Sequence, residues 1–134
     1  MYQFNYKKVE TIEEAVNELS ANPESKILAG GMTLIPTMKQ RLASPEQLID
    51  IRNIKELNFI KEESNKIVIG STTNHYTVAS SDLIKNKLSS LSRLAEGIGD
   101  PHVRNMGTIG GAISNNDPTA VSYTHLTLPT IRTV

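Results

Sequence analysis

The chain predicts an α+β fold: a small parallel β-α-β-α-β unit, then a truncated unit built on a mixed or antiparallel sheet. Three observations predict it. Short apolar runs alternate with helical stripes from Tyr6 to Ile51, over brief connections, which favours parallel strands joined by right-handed crossovers. Further on, the polar stretch Glu62-Glu63-Ser64-Asn65 separates two strand-like runs, as in a hairpin. Glycine pairs at Gly30-Gly31 and Gly110-Gly111 punctuate the pattern.

Element by element, Tyr6 to Val9 reads as a short edge strand. Thr11-Ile12-Glu13-Glu14 is a capping box, in which the hydroxyl takes an orphan N–H and Glu14 reaches back. Ile12, Ala15, Val16 and Leu19 follow as one apolar helical stripe, stopped by Asn22-Pro23. Lys26 to Ala29 predicts a buried strand feeding the Gly30-Gly31 turn. Leu34, Met38 and Leu42 are one helical turn apart, and Pro45 ends that pattern before the strand Gln47 to Ile51. Leu57 to Ile60 and Lys66 to Ile69 are the hairpin strands, with Lys61-Glu62-Glu63 as a solvated tip. Thr72-Thr73-Asn74 caps a short helix through Ala79, and Ser81-Asp82 caps another. Ile84, Leu88, Leu91, Ala95 and Ile98 then carry one helical stripe towards Gly97 and Gly99. Asp100-Pro101 restarts a helical turn. Gly107 to Ser114 reads as a glycine-broken strand, and a subdomain boundary falls near Arg52-Asn53.

Composition narrows the function classes. The 134 residues fit one domain, and the formal net charge of +0 gives no electrostatic support for nucleic-acid or membrane-surface binding. There is no cysteine, which removes thiol chemistry and cysteine-ligated clusters from this chain. No apolar run is long enough to span a bilayer, and the N-terminus lacks the apolar core of a signal peptide. The expectation is a cytoplasmic protein. His75, His102 and His125 have no metal-ligand spacing, so no metal site is expected. Asp117 has no paired carboxylate, and no catalytic side chain is expected.

Two segments carry candidate chemistry. Ala29-Gly30-Gly31-Met32-Thr33 lies between a strand and a helix, where glycines admit a ligand to the backbone and the helix offers free N–H groups. That is the physics of a pyrophosphate cradle. Taken alone, the segment reads first as a tight βα turn with Thr33 as a cap. Gly107-Thr108-Ile109-Gly110-Gly111-Ala112 reads as a bulge or a second close approach to a ligand. Arg104 and Asn105 beside it either contact phosphate or hold a loop.

These residues resemble a known family. ILAGGMTLIPTMKQRL with EQLIDI, and IGDPHVRNMGTIGGAISNNDPTA, are similar to the two flavin signatures of the FAD-binding medium subunit of molybdenum hydroxylases, the xanthine dehydrogenase and carbon monoxide dehydrogenase type. Ile69-Gly70-Ser71-Thr72-Thr73 is a third matching stretch, and the resemblance runs from Met1 to Ala120. It implies a vanillyl-alcohol-oxidase (PCMH) type fold with FAD as cofactor. The first FAD-binding subdomain would be 1–52 and the second, truncated, 53–120. The FAD pyrophosphate would sit against both glycine motifs, with Ala29, Gly30, Gly31, Met32 and Thr33 forming the first cradle and Thr108, Ile109, Gly110, Gly111 and Ala112 the second. Ser114 and Asp117 would approach the ribityl or isoalloxazine part. The implied partners are an iron–sulfur subunit, a molybdopterin subunit, and NAD or another electron acceptor. Such a fragment is expected to bind FAD weakly and to be inactive alone. The competing reading is a non-catalytic fragment acting at most as a docking surface; a flavin domain of the cell-wall reductase type ranks below both.

After Ala120 the composition changes. Val121 to Thr130 matches, residue for residue, a translated transposase-based sequencing adapter, so 121–134 is expected to be a non-native tail. A native strand is the other reading, since Tyr, Thr, Leu and Val suit one.

Overall fold

Strand β3 (Gln47–Asp50) is the spine of the first half of the chain. It lies between β1 (Asn5–Lys8) and β2 (Ser25–Leu28), parallel to both, with Tyr6 opposite Leu48 and Ile27 opposite Ile49. The computed structural model describes residues 1–117, so the expectations for 121–134, including His125, lie outside the described residues.

Helices cover the two faces of this sheet. Helix α1 (Ile12–Ala21) starts where Thr11 Oγ1 accepts the Glu14 N–H at 3.1 Å. The reach-back of Glu14 lands one residue early, on the Glu10 N–H, at 3.4 Å. Ala15 then packs with Val9, Ile49 and Ile54 on one side. Helix α2 (Leu34–Lys39) packs Met38 against Leu28 and Leu48 on the other. Each large apolar side chain so enclosed stabilises the fold by roughly 1.5–3 kcal/mol. Leu42, expected on the α2 stripe, lies past the helix end and is 75% exposed.

The hairpin differs from expectation in position. Its strands are β4 (Ile60–Glu63) and β5 (Lys66–Ile69), antiparallel, with Lys61, Glu62 and Glu63 inside β4. Ser64 and Asn65 make the turn at φ 43° and 67°, the positive angles that match the twist of a two-residue hairpin loop. Leu57, expected in a strand, closes the short 3₁₀ turn Lys55–Leu57.

Four of the five remaining helices are capped by a side chain. Asn74 caps α3 (His75–Ser80) and Ser81 caps α4 (Asp82–Lys87). The expected single stripe from Ile84 to Ile98 is two helices. Leu88 takes a non-helical backbone (φ −146°, ψ 62°), and α5 (Ser89–Glu96) turns to place Leu91 and Ala95 against Val78, Ala79 and Ile84. Ser92 Oγ fixes that turn by donating to the Ala79 carbonyl at 2.6 Å. Asp100 caps α6 (Pro101–Met106). The predicted strand over 107–114 is helix α7 (Ile109–Asn115), because Thr108 Oγ1 accepts the Gly111 N–H and starts a helix despite two glycines.

A buried charge clamps the sheet. Asp50 ends β3 with its side chain 1% exposed, held by the Arg52 guanidinium through contacts at 2.6 to 3.2 Å and by the Tyr6 hydroxyl from β1. Burial alone would raise the Asp50 carboxyl; the Arg52 and Tyr6 hydrogen bonds outweigh it and hold the group at about 2. A lowered folded value makes this stabilisation present at neutral pH and lost on acidification. Acid titration monitored by circular dichroism should therefore show stability falling between about pH 4 and pH 2, by about 2 kcal/mol from this group. Arg52→Leu should move that loss to higher pH, since burial then acts on Asp50 with less opposition.

Candidate functional site

The site begins where β2 runs out. Gly31 stands at φ +75°, which only glycine adopts without strain, and turns the chain into α2. Among the described residues, the N–H groups of Gly30, Gly31, Met32 and Thr33 donate to no acceptor. Thr33 precedes α2, but its hydroxyl makes no capping bond. The reading of Thr33 as a side-chain cap is thus replaced by a free hydroxyl beside four free N–H groups.

The second glycine segment meets the first directly. A Cβ on Gly30 would stand 2.2 Å from the Met106 carbonyl oxygen and 2.9 Å from Gly107 Cα. Two backbones touch there with no side chain between them. Behind this seam, Ser71 to His75 runs alongside 107–110 as a hydrogen-bonded rail. Gly110 donates to the Ser71 carbonyl, Ile109 to the Thr73 carbonyl and His75 to the Gly107 carbonyl, each at 3.0 Å. A Cβ on Gly110 would stand 2.6 Å from the Ser71 carbonyl oxygen.

The two sides of the site are therefore unlike. The N–H groups of Ile109 and Gly110 are taken by the rail, and that of Gly111 by Thr108 Oγ1 at 3.0 Å. The Ala112 N–H is taken by the Thr108 carbonyl at 3.1 Å. Thr108 is itself buried as the cap. The second segment supplies walls, while the first supplies donors.

Beside this seam runs a groove of about 310 Å³, with Ala29, Gly110, Gly111 and Ser114 along it. Ile12, Val16 and Ile27 form an apolar side, and Ser71 a polar point. Ile109 and Ala112 face the other way, into a small apolar cavity with His75 and Val78. Met32 and Thr33 are exposed at the α2 end, and Asp117 is exposed at the end of the described chain. Ser71 and His75 were not singled out as site residues by sequence reasoning; the stretch Ile69 to Thr73 was the available signal.

The open choice for Arg104 and Asn105 is settled. Arg104 Nη1 donates to the carbonyls of Ile98 and Gly99 at 3.2 and 2.8 Å, and Asn105 Nδ2 to the Pro101 carbonyl at 2.8 Å. Arg104 holds the loop into α6, and Asn105 bonds back within α6 itself. Asp100 is held below the usual carboxylate range by the Val103 N–H that it caps. Burial pushes the His75 imidazole down. Among the described residues, no cluster of His, Asp and Glu is arranged to hold a metal.

Unengaged N–H groups at a glycine βα turn, beside an apolar groove, suit a phosphate-bearing ligand. The chain belongs to the family described as the FAD binding domain in molybdopterin dehydrogenase, whose family model matches residues 2–128. It is 43% identical over 116 residues to the glyceraldehyde dehydrogenase medium chain of Sulfolobus acidocaldarius, covering 87% of this chain and 41% of the relative. It is 44% identical over 117 residues to the carbon monoxide dehydrogenase medium chain of Hydrogenophaga pseudoflava, with coverages of 87% and 41%. A solved structure of carbon monoxide dehydrogenase from Hydrogenophaga pseudoflava superposes with a TM-score of 0.87 at 43% identity, over 89% of this chain and 42% of that one. Quinoline 2-oxidoreductase from Pseudomonas putida gives 0.85 at 28% identity, over 87% and 41%. The chain thus spans about two-fifths of the length of these relatives.

The family's cofactor is FAD, and the residues present fit it. Unengaged N–H groups at 30–33 suit a pyrophosphate, and the groove gives apolar surface beside them. Gly30→Ala should cost about 3 kcal/mol in urea unfolding, because its methyl lands on fixed backbone. Gly97→Ala is the control: a methyl there meets ordinary contacts at 3.5 Å and should change stability by about 1 kcal/mol or less.

Proposed function

We propose that this chain is the FAD-binding portion of a medium subunit in a molybdenum hydroxylase, relaying electrons from iron–sulfur clusters through FAD to NAD or another acceptor. The observation that carries the reading is the asymmetric cradle: four unengaged N–H groups at 30–33, held by the Gly30 seam beside a groove. Family membership supports FAD as the occupant.

In this reading Gly30, Gly31, Met32 and Thr33 donate to the pyrophosphate through N–H groups, and Thr33 adds its hydroxyl. Ala29, Gly110 and Gly111 give walls that admit the ligand closely. Thr108 holds Gly111 in place, while Ile109 and Ala112 anchor α7 from its core side. Ser114 and Asp117 lie towards the ribityl and ring end. The division at 52/53 separates the donor half from the wall half. Bound FAD supplies the redox chemistry, and the protein supplies position and electrostatics. No side chain serves as acid or base.

In this reading the clusters belong to an iron–sulfur subunit and the hydroxylation to a molybdopterin subunit, a division with which a chain free of cysteine is consistent. The relatives are medium chains of dehydrogenases, which supports that division of labour. No helix among the described residues is long and apolar enough to cross a membrane, which is in keeping with a cytoplasmic complex.

Flavin fluorescence quenching on titration of the purified protein with FAD tests the reading. Saturable quenching and a yellow protein are expected. Thr33→Ala should weaken binding about fivefold, the worth of one hydrogen bond of about 1 kcal/mol. A colourless protein indifferent to FAD would overturn the assignment for this chain.

A further inference from the structure

We infer that His75 is a positioning residue for the FAD site: its neutral imidazole holds the Gly107 turn on which Gly30 rests, and protonating the ring opens the cradle. The functional half of this inference rests on the FAD reading above; the mechanical half rests on geometry alone.

His75 opens α3 and is 6% exposed. Its N–H donates to the Gly107 carbonyl at 3.0 Å, the last bond of the rail. Its ring lies against the same residue: a Cβ on Gly107 would stand 3.0 Å from Cδ2 and 3.3 Å from Nε2. Gly107 is thus held from behind by the imidazole, while its Cα meets Gly30 in front. The ring edges an apolar cavity with Val78, Leu91, Ala95, Ile98 and Ile109. Among the described residues no side chain gives the ring a hydrogen-bond partner, so a charged imidazole is poorly stabilised there.

The ionisable groups on the surrounding helices do not change this. Asp82, Lys85 and Lys87 lie on α4, Arg93 and Glu96 on α5, and His102 and Arg104 on α6. Arg104 is turned to the Ile98 and Gly99 carbonyls, and α7 carries no charged residue. Burial alone acts on the His75 ring, lowering its affinity for a proton.

The sign follows. An opened or unfolded His takes a proton near pH 6.5, and the closed form does so only at lower pH. Acidification below that value therefore favours the form in which the ring has left its cavity. Gly107 then loses its backing, and the Gly30 seam loosens with it.

The test uses the whole chain labelled with ¹⁵N, in a His102→Asn background that removes the other imidazole of this region. The amide resonances of Gly30 and Gly107 should titrate with the His75 ring at one midpoint below pH 6.5. In His75→Gln they should stay still. FAD affinity, read by flavin fluorescence between pH 8 and pH 5, should fall about tenfold per pH unit below that midpoint, the slope of one proton. His75→Gln should flatten the slope. Glycine resonances that stay fixed while His75 titrates overturn the inference whatever FAD does. Glycine resonances that move, with no FAD binding at any pH, support the positioning role and overturn the FAD reading instead.

Discussion

The arrangement depends on backbone touching backbone. Gly30 lies on the Met106 carbonyl and Gly107, Gly110 on Ser71, and Gly70 on the Leu57 carbonyl, each closer than any Cβ would allow. A side chain at Gly30 would separate the parallel sheet from the helices that follow the hairpin, and side chains at Gly110 or Gly70 would loosen the second half itself. The groove along Ala29, Gly110, Gly111 and Ser114 exists because the two halves are drawn this near. Glycine here is selected less for flexible turning than for thinness, and Gly31, with its positive φ, is the exception.

That closeness also decides how hydrogen bonds are shared. The second glycine segment spends its N–H groups on the 71–75 rail and the Thr108 cap, which fixes a wall. The first segment spends none of the four at 30–33 among the described residues. A polar group left unpaired in a fold is costly unless water or a ligand meets it. The donors follow Ala29, which lines the groove, and Met32 and Thr33 are exposed, so either can reach them. One side of the site is thus rigid by satisfaction, and the other is primed by its lack of it. The Asp50 clamp keeps the donor side steady, since Tyr6 ties β1 to the end of β3, the neighbour of β2.

Much of the parallel half was legible from sequence because its signals are local. The Thr11 capping box, the Ile12 to Leu19 stripe and the apolar runs around Leu28 and Leu48 each act within a few residues. The second half hid more. Gly110 and Gly111 read as strand breakers, since helix propensity disfavours glycine; the Thr108 cap and the tight fit on Ser71 override that preference. Leu88 fits a helical stripe by spacing, yet burying Leu91 and Ala95 on Val78 and Ile84 requires a bend there. The glycine pairs announced a site, but nothing in their own residues says which side keeps its donors. His75 gave no signal at all, because the helices that bury it come later in the chain. Arg104 and Asn105 look like phosphate ligands beside a glycine motif; their partners, the carbonyls of Ile98, Gly99 and Pro101, are visible only once α6 is formed.

The seam has a consequence for assembly in time. Residues 30–33 follow β2, and their sheet is complete once Asp50 has been made, so one half of the site is available early in synthesis. Its other half, at 106–107, arrives far later and must close a long loop, which is slow for entropic reasons. The rail at 71–75 shortens that search, since it lies nearer to 107–110 in the chain than Gly30 does. A ligand that needs both halves is accordingly captured at the end of folding and reports its completion.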